Sequence, residues 1–125
     1  MKGSDKMGMS NYFEKLNRKL NTYDEIDDYL YTNGLDEYTI LLEFRHYDWL
    51  DYYMYTTFKN NFKYDDMIIL NKNDIYKILK DISIYNIGYE IGEEDKKQIH
   101  YAIPYIKKLL TEDFENNTIY YQTDI

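Results

Sequence analysis

Apolar residues change their period along this chain, and each change marks an element. From Ser10, the residues Phe13, Leu16 and Leu20 recur at helical spacing with Ser10 as a cap, which predicts a helix over about 11–20. Ile26, Tyr29 and Leu30 form the inward stripe of a second helix over about 23–32. Its start is punctuated by Thr22-Tyr23-Asp24-Glu25, a capping box in which hydroxyl and carboxylate each satisfy a free amide of the first turn. Its end is marked by Asn33-Gly34, which accommodates a left-handed stop.

The stretch from Glu37 to Phe58 carries two patterns. Tyr38, Ile40, Leu42 and Phe44 alternate as in a strand, whereas Leu42, Arg45, His46, Trp49, Leu50, Tyr53, Met54 and Thr57 follow helical steps. Length favours a helix over about 38–56. Asn60-Asn61 and Lys63-Tyr64-Asp65-Asp66 read as a polar loop. Met67-Ile68-Ile69-Leu70 then reads as a short strand, followed by a helix capped by Asn71 with Asp74 three residues on. Ile75, Ile78, Leu79 and Ile82 give that helix a clean apolar face.

Tyr85 to Gly92 reads as loop or irregular strand, and a last helix is expected over about 93–111. Pro104 lies inside it and predicts a kink or break near Tyr101. Asn116-Asn117 turns the chain into a closing strand over 118–123, a candidate partner for 67–70. The expected fold is α+β and mostly helical, with about five helices and a small sheet from strands near 67–70 and 118–123. Residues 1–9 read as an irregular leader and 10–125 as one globular domain.

Composition narrows the chemistry. The chain has no cysteine and two histidines, which excludes disulfides, thiolate metal sites and cysteine nucleophiles. Seventeen tyrosines stand beside 15 isoleucines, one alanine and no valine, a bias that A/T-rich codons explain and that also supplies amphipathic contact area. No apolar run approaches a bilayer span, and the first residues lack the apolar core of a signal peptide, so a cytoplasmic protein without membrane contact is expected.

Net charge is −8, and its placement is uneven. Between Asn21 and Phe58 there are nine acids (Asp24, Glu25, Asp27, Asp28, Asp36, Glu37, Glu43, Asp48 and Asp51) and one base, Arg45. Direct binding to nucleic acid is disfavoured, because neutralising phosphates takes clustered Lys and Arg. An acidic surface attracts a basic partner instead. Trp49 with Tyr52 and Tyr55 makes this acidic stretch aromatic as well.

No catalytic motif accompanies these residues. His46 and Asp48 are two apart and point in different directions on a helix, with no nucleophile motif beside them. Asp24-Glu25-Ile26-Asp27-Asp28 lacks the spacing and glycine of a calcium loop, and the scattered glycines form no phosphate cradle. Lys96-Lys97 and Lys107-Lys108 read as solubility charges on the polar side of their helix. The expectation is a non-enzyme without cofactor or metal.

Three segments resemble a group of small phage proteins of unknown function. They are Glu43-Phe44-Arg45-His46 with Leu50 and Tyr53-Met54, the strand and capped helix of Met67 to Asp81, and Ile119-Tyr120-Tyr121-Gln122-Thr123. The resemblance covers about residues 40–125. It departs from the group in lacking the aromatic-glycine segment before the last helix and in ending on Asp124-Ile125 where the group has tryptophan. It implies a phage or mobile-element origin and carries over no catalytic residue.

Together these readings predict an acidic accessory protein that inhibits a host nucleic-acid-binding defence protein, such as a nuclease targeted by anti-CRISPR-type inhibitors. Asp24, Asp27, Asp28, Asp36, Glu37, Glu43, Asp48 and Asp51 would stand in for phosphates, and Trp49, Tyr52 and Tyr55 for bases. The alternatives are a tyrosine-lined module that sequesters a nucleotide with Lys107 or Lys108, and a virion structural or assembly protein. Oligomeric state is left open, a dimer among the options.

Overall fold

A computed structural model of the chain describes residues 9–34, 37–59 and 67–124. Asp36, the leader up to residue 8 and the loop containing Asn60-Asn61 and Lys63 to Asp66 lie outside the described residues. Four strands form an antiparallel sheet in the order β2-β1-β4-β3: β1 is Ser10–Leu16, β2 Thr39–Arg45, β3 Ile68–Leu70 and β4 Thr118–Asp124. Four α-helices accompany it: α1 Tyr23–Asn33, α2 Asp48–Thr57, α3 Lys72–Ser83 and α4 Glu93–Lys108, the last extended by a 3₁₀ turn at Leu109–Thr111. The class is α+β, as expected, with one helix fewer and a larger sheet.

Two clusters fill the two faces of that sheet. On one face, Phe13, Phe44, Ile68, Leu70 and Tyr121 pack against Trp49, Leu50, Tyr53 and Met54 of α2. Ile75, Ile78 and Ile82 of α3 and Ile99, Ala102 and Ile106 of α4 complete this core. On the opposite face, α1 sets Ile26 against Leu16, Tyr120 and Met67. A buried carboxylate ties the first layer together: Tyr53 donates its hydroxyl to Asp81 at 2.5 Å, and the Lys77 ammonium lies 3.2 Å from the same carboxylate oxygen.

The capping boxes form as their spacing predicts. Thr22 Oγ1 accepts from the Glu25 amide at 3.1 Å, and Glu25 accepts from the Thr22 amide. Asn71 and Asp74 do the same for α3, at 2.9 Å each way. Asn71→Ala is expected to cost about 1 kcal/mol of stability, the typical value of a helix cap, read as a lowered urea midpoint by circular dichroism.

The segment expected as a helix over 11–20 is instead the strand β1. It lies between two partner strands, with the main core on one face and α1 over part of the other, so most of its residues are buried. Buried polar residues there interrupt the apolar alternation of a strand, and the chain satisfies them at long range. Asn11 donates to the Tyr121 hydroxyl at 2.8 Å and accepts from the Tyr47 amide at 3.0 Å.

The single helix expected over 38–56 divides into β2 and α2. The break falls at His46, whose φ of 63° no strand or helix continues. The alternation of Tyr38, Ile40, Leu42 and Phe44 was thus the signal of an edge strand. A bulge lies within it, since Phe13 pairs with Leu42 while Glu14 pairs with Ile40. Leu41 is the extra residue, which lets Leu41 and Leu42 both reach the main core while Ile40 turns to the other face.

Pro104 does not break α4, which runs unbroken from Glu93 to Lys108. Pro104 is exposed while Ile99, Ala102 and Ile106 are buried. The carbonyl it leaves without an amide partner therefore faces water, and packing holds the helix on its other side. The closing strand pairs with 67–70 as expected, through Ile68–Tyr121, Ile69–Tyr120 and Leu70–Ile119.

Candidate functional site

Among the described residues, helix α1 covers only one end of its face of the sheet, and the other end is open. Strand alternation places Tyr12 and Glu14 of β1 and Gln122 and Asp124 of β4 on this open end. The bulge in β2 turns Ile40 toward the same face. Together with Tyr38 and Thr123 these residues line a cavity of about 190 Å³.

Glu14 is its most unusual residue, a carboxylate only 2% exposed. Gln122 Nε2 donates to it at 2.6 Å, and the Tyr120 hydroxyl is a second partner. No Lys, Arg or His pairs with it among the described residues. Burial pushes its pKa above the ordinary carboxylate value; the Tyr120 and Gln122 hydrogen bonds pull it part of the way back, and the Asp124 carboxylate adds a smaller push upward. The same burial, with Glu14 beside it, raises the pKa of Tyr120.

A carboxyl that holds its proton more tightly when folded stabilises most below the ordinary carboxylate pKa. That contribution falls as pH rises through the folded value. Glu14→Gln keeps an acceptor for Tyr120 and removes the charge. It is expected to raise the urea midpoint at about pH 7 and to leave it nearly unchanged at about pH 3, where the Glu14 carboxyl is mostly protonated in the folded and the unfolded chain alike.

On the outer face of α1, Asp24, Asp27, Asp28 and Tyr31 follow one another at i, i+3, i+4 and i+7. All four are exposed, Tyr31 to 86%. None of the three carboxylates has an ion pair among the described residues. Because α1 lies on the open face's side of the sheet, this stripe looks out in the same direction as the cavity. Glu43, exposed and paired with Tyr12 in register, adds a further carboxylate to that side. Glu37 is exposed in the turn that leads from α1 to β2.

The remaining predicted residues are elsewhere, and the expectation of one continuous acidic aromatic surface over 21–58 is corrected accordingly. The sheet separates α1 from α2. Asp48 is at the start of α2, 3.3 Å from His46 Nδ1. Tyr52 is exposed beside Tyr89, their rings 4.9 Å apart, on the helical layer. Trp49 is fully buried, and its indole N–H donates to Gln98 at 2.9 Å. Asp51 turns inward and accepts from the hydroxyls of Tyr121, at 3.0 Å, and Thr123. Tyr55 is half-buried against Tyr121, its hydroxyl 3.3 Å from Thr123. These three side chains serve the core because α2 is a core helix whose inward face they occupy.

Sequence reasoning missed Tyr12, Glu14, Gln122 and Asp124. The polar residues of 10–16 interrupt the period of two that marks a strand, so no local signal pointed to Tyr12 and Glu14, and Gln122 and Asp124 were legible only as part of the closing strand or its end.

Chemically, this side of the molecule offers carboxylates, tyrosine rings and one amide. Carboxylates at the cavity oppose a phosphate and favour a cation. Lys107 and Lys108 are in the last turn of α4, where they suit the helix dipole, and the Lys108 ammonium lies 5.4 Å from the Tyr105 ring centroid. No group of three His, Asp or Glu among the described residues is arranged to hold a metal. No helix among them is long and apolar enough to cross a membrane. Compared with known proteins, the chain matches no family model, no curated protein and no solved structure.

Proposed function

We propose that this chain is an accessory protein of a phage or mobile element that acts by binding. It occupies the nucleic-acid site of a basic host protein of the defence-nuclease kind and blocks it by offering charge in the pattern of nucleic acid. The observation that carries this reading is the stripe Asp24, Asp27, Asp28 and Tyr31, exposed and with no ion pair to its carboxylates among the described residues.

The charge density of the stripe supports the comparison. At 1.5 Å per residue, three carboxylates over five residues give about one charge per 2.5 Å of helix axis. A single DNA strand in a duplex carries about one per 3.4 Å. Tyr31 supplies an exposed ring of the kind on which bases or arginines stack. The acid-lined cavity weighs against a nucleotide as ligand, since its carboxylates would repel the phosphates.

The test is capture of host proteins on the immobilised chain at low and high ionic strength, with DNA as competitor. A nucleic-acid-binding protein is expected to be retained at about 50 mM salt, released at about 500 mM, and displaced by added DNA. Retention indifferent to both salt and DNA would overturn the reading.

A further inference from the structure

The cavity holds a buried carboxyl that no ion pair compensates among the described residues. Glu14 is as buried as a core leucine, yet among the described residues its hydrogen-bond partners are the neutral groups of Gln122 and Tyr120. A second carboxylate, Asp124 of β4, lines the same cavity from its position opposite Ser10. Arg45 is on the same face, two positions beyond Glu43, but it is exposed and makes no ion pair among the described residues. Desolvating a carboxylate without a counter-ion costs stability. A perturbed acid at a cavity, instead of an apolar residue in the sheet, marks a place kept for binding.

We propose that this cavity receives an arginine side chain of the basic partner, with the guanidinium on the Glu14 and Asp124 carboxylates and its stem along Ile40 between the rings of Tyr12 and Tyr38. The inference rests on the reading above and names the contact at which the partner is anchored. Size fits a side chain: at about 190 Å³ the cavity is smaller than the ~300 Å³ from which small-molecule sites usually begin. Chemistry favours guanidinium over ammonium. The planar cation is weakly hydrated, offers forked donors to carboxylates and stacks on aromatic faces. Its arrival would supply the counter-charge that Glu14 lacks and leave Gln122 and Tyr120 holding the carboxylate in place.

The probe is Nα-acetyl-arginine amide, titrated into the folded chain and followed by the backbone amide signals. Nα-acetyl-citrulline amide serves as the uncharged isostere. Saturable shifts centred on residues 12, 14, 38, 40, 122 and 124 are expected with arginine and not with citrulline. Glu14→Gln and, independently, Asp124→Asn should each weaken the effect by about ten-fold. Glu14→Gln should also weaken capture of the basic partner by about ten-fold.

Equal response to citrulline, or an arginine response that survives both carboxylate substitutions, would overturn the anchoring role. So would partner capture indifferent to Glu14→Gln, even where free arginine amide binds. In each of these cases salt-sensitive, DNA-competed capture by the unaltered chain would leave the broader reading standing. Capture indifferent to salt and DNA would remove that reading whatever the cavity binds.

Discussion

Trp49→Ala is expected to remove about 4 kcal/mol of stability, the scale on which fully buried aromatic residues are lost to a cavity. The indole is completely enclosed, packs 5.8 Å from the Tyr47 ring, and bonds Gln98 of α4 through its N–H. Truncation would empty the space between α2 and α4 and leave the Gln98 oxygen without its donor. For a domain of this size that is a large share of the total, which runs from about 5 to 15 kcal/mol. Urea unfolding followed by far-ultraviolet circular dichroism measures it, since the chain's one tryptophan is the residue removed. Glu43→Ala, on the exposed edge strand, should stay within about 0.5 kcal/mol of the unaltered chain. A stable Trp49→Ala protein that lost only its binding would return the indole to the partner surface, where its neighbours in sequence had first placed it.

The second large effect is on association. D24N/D27N/D28N removes three charges from α1 and leaves its buried face of Ile26, Tyr29 and Leu30 intact. Stability should barely change. Asp24 is lost from the first turn, where it suits the helix dipole, but the repulsions of Asp24 with Asp27 and Asp28 at i+3 and i+4 are relieved by a similar few tenths of a kcal/mol. Affinity for the basic partner should fall by about ten-fold or more at low salt, chiefly through the on-rate, and the two proteins should converge as salt rises. Surface plasmon resonance across a salt series reads both the rate and the slope. Unchanged affinity at low salt would assign the partner contact to another surface, with the exposed Tyr52 and Tyr89 of the helical layer next to be tested.

These two experiments address the same stretch of chain and separate what its residues do. Asp24, Asp27 and Asp28 face solvent, whereas Trp49 and Asp51 face the core. The acids of 21–58 are thereby divided between two sides of a sheet. Of the acids expected on one surface, Asp24, Asp27, Asp28 and Glu43 are exposed, whereas Asp51 is turned inward with Trp49 and Tyr55.

By itself the amino-acid sequence determined what adjacent residues can settle among themselves. The starts of α1 and α3 were legible because a capping box spans three residues, and the apolar face of α3 because its stripe is local. The brief apolar run at Ile68–Leu70 and the closing strand were legible as strands for the same reason. Only the tertiary structure decided β1, because a strand held between two others can bury Asn11 and Glu14 once Tyr121, Tyr47 and Gln122 arrive from distant parts of the chain. It also decided where β2 ends, through the left-handed turn at His46, and that Pro104 stays within α4. The carboxylate of Glu14 lies in a cavity because 108 residues separate it from the amide that holds it. Burial of a polar group depends on partners brought together by strand pairing, and no window along the chain contains them.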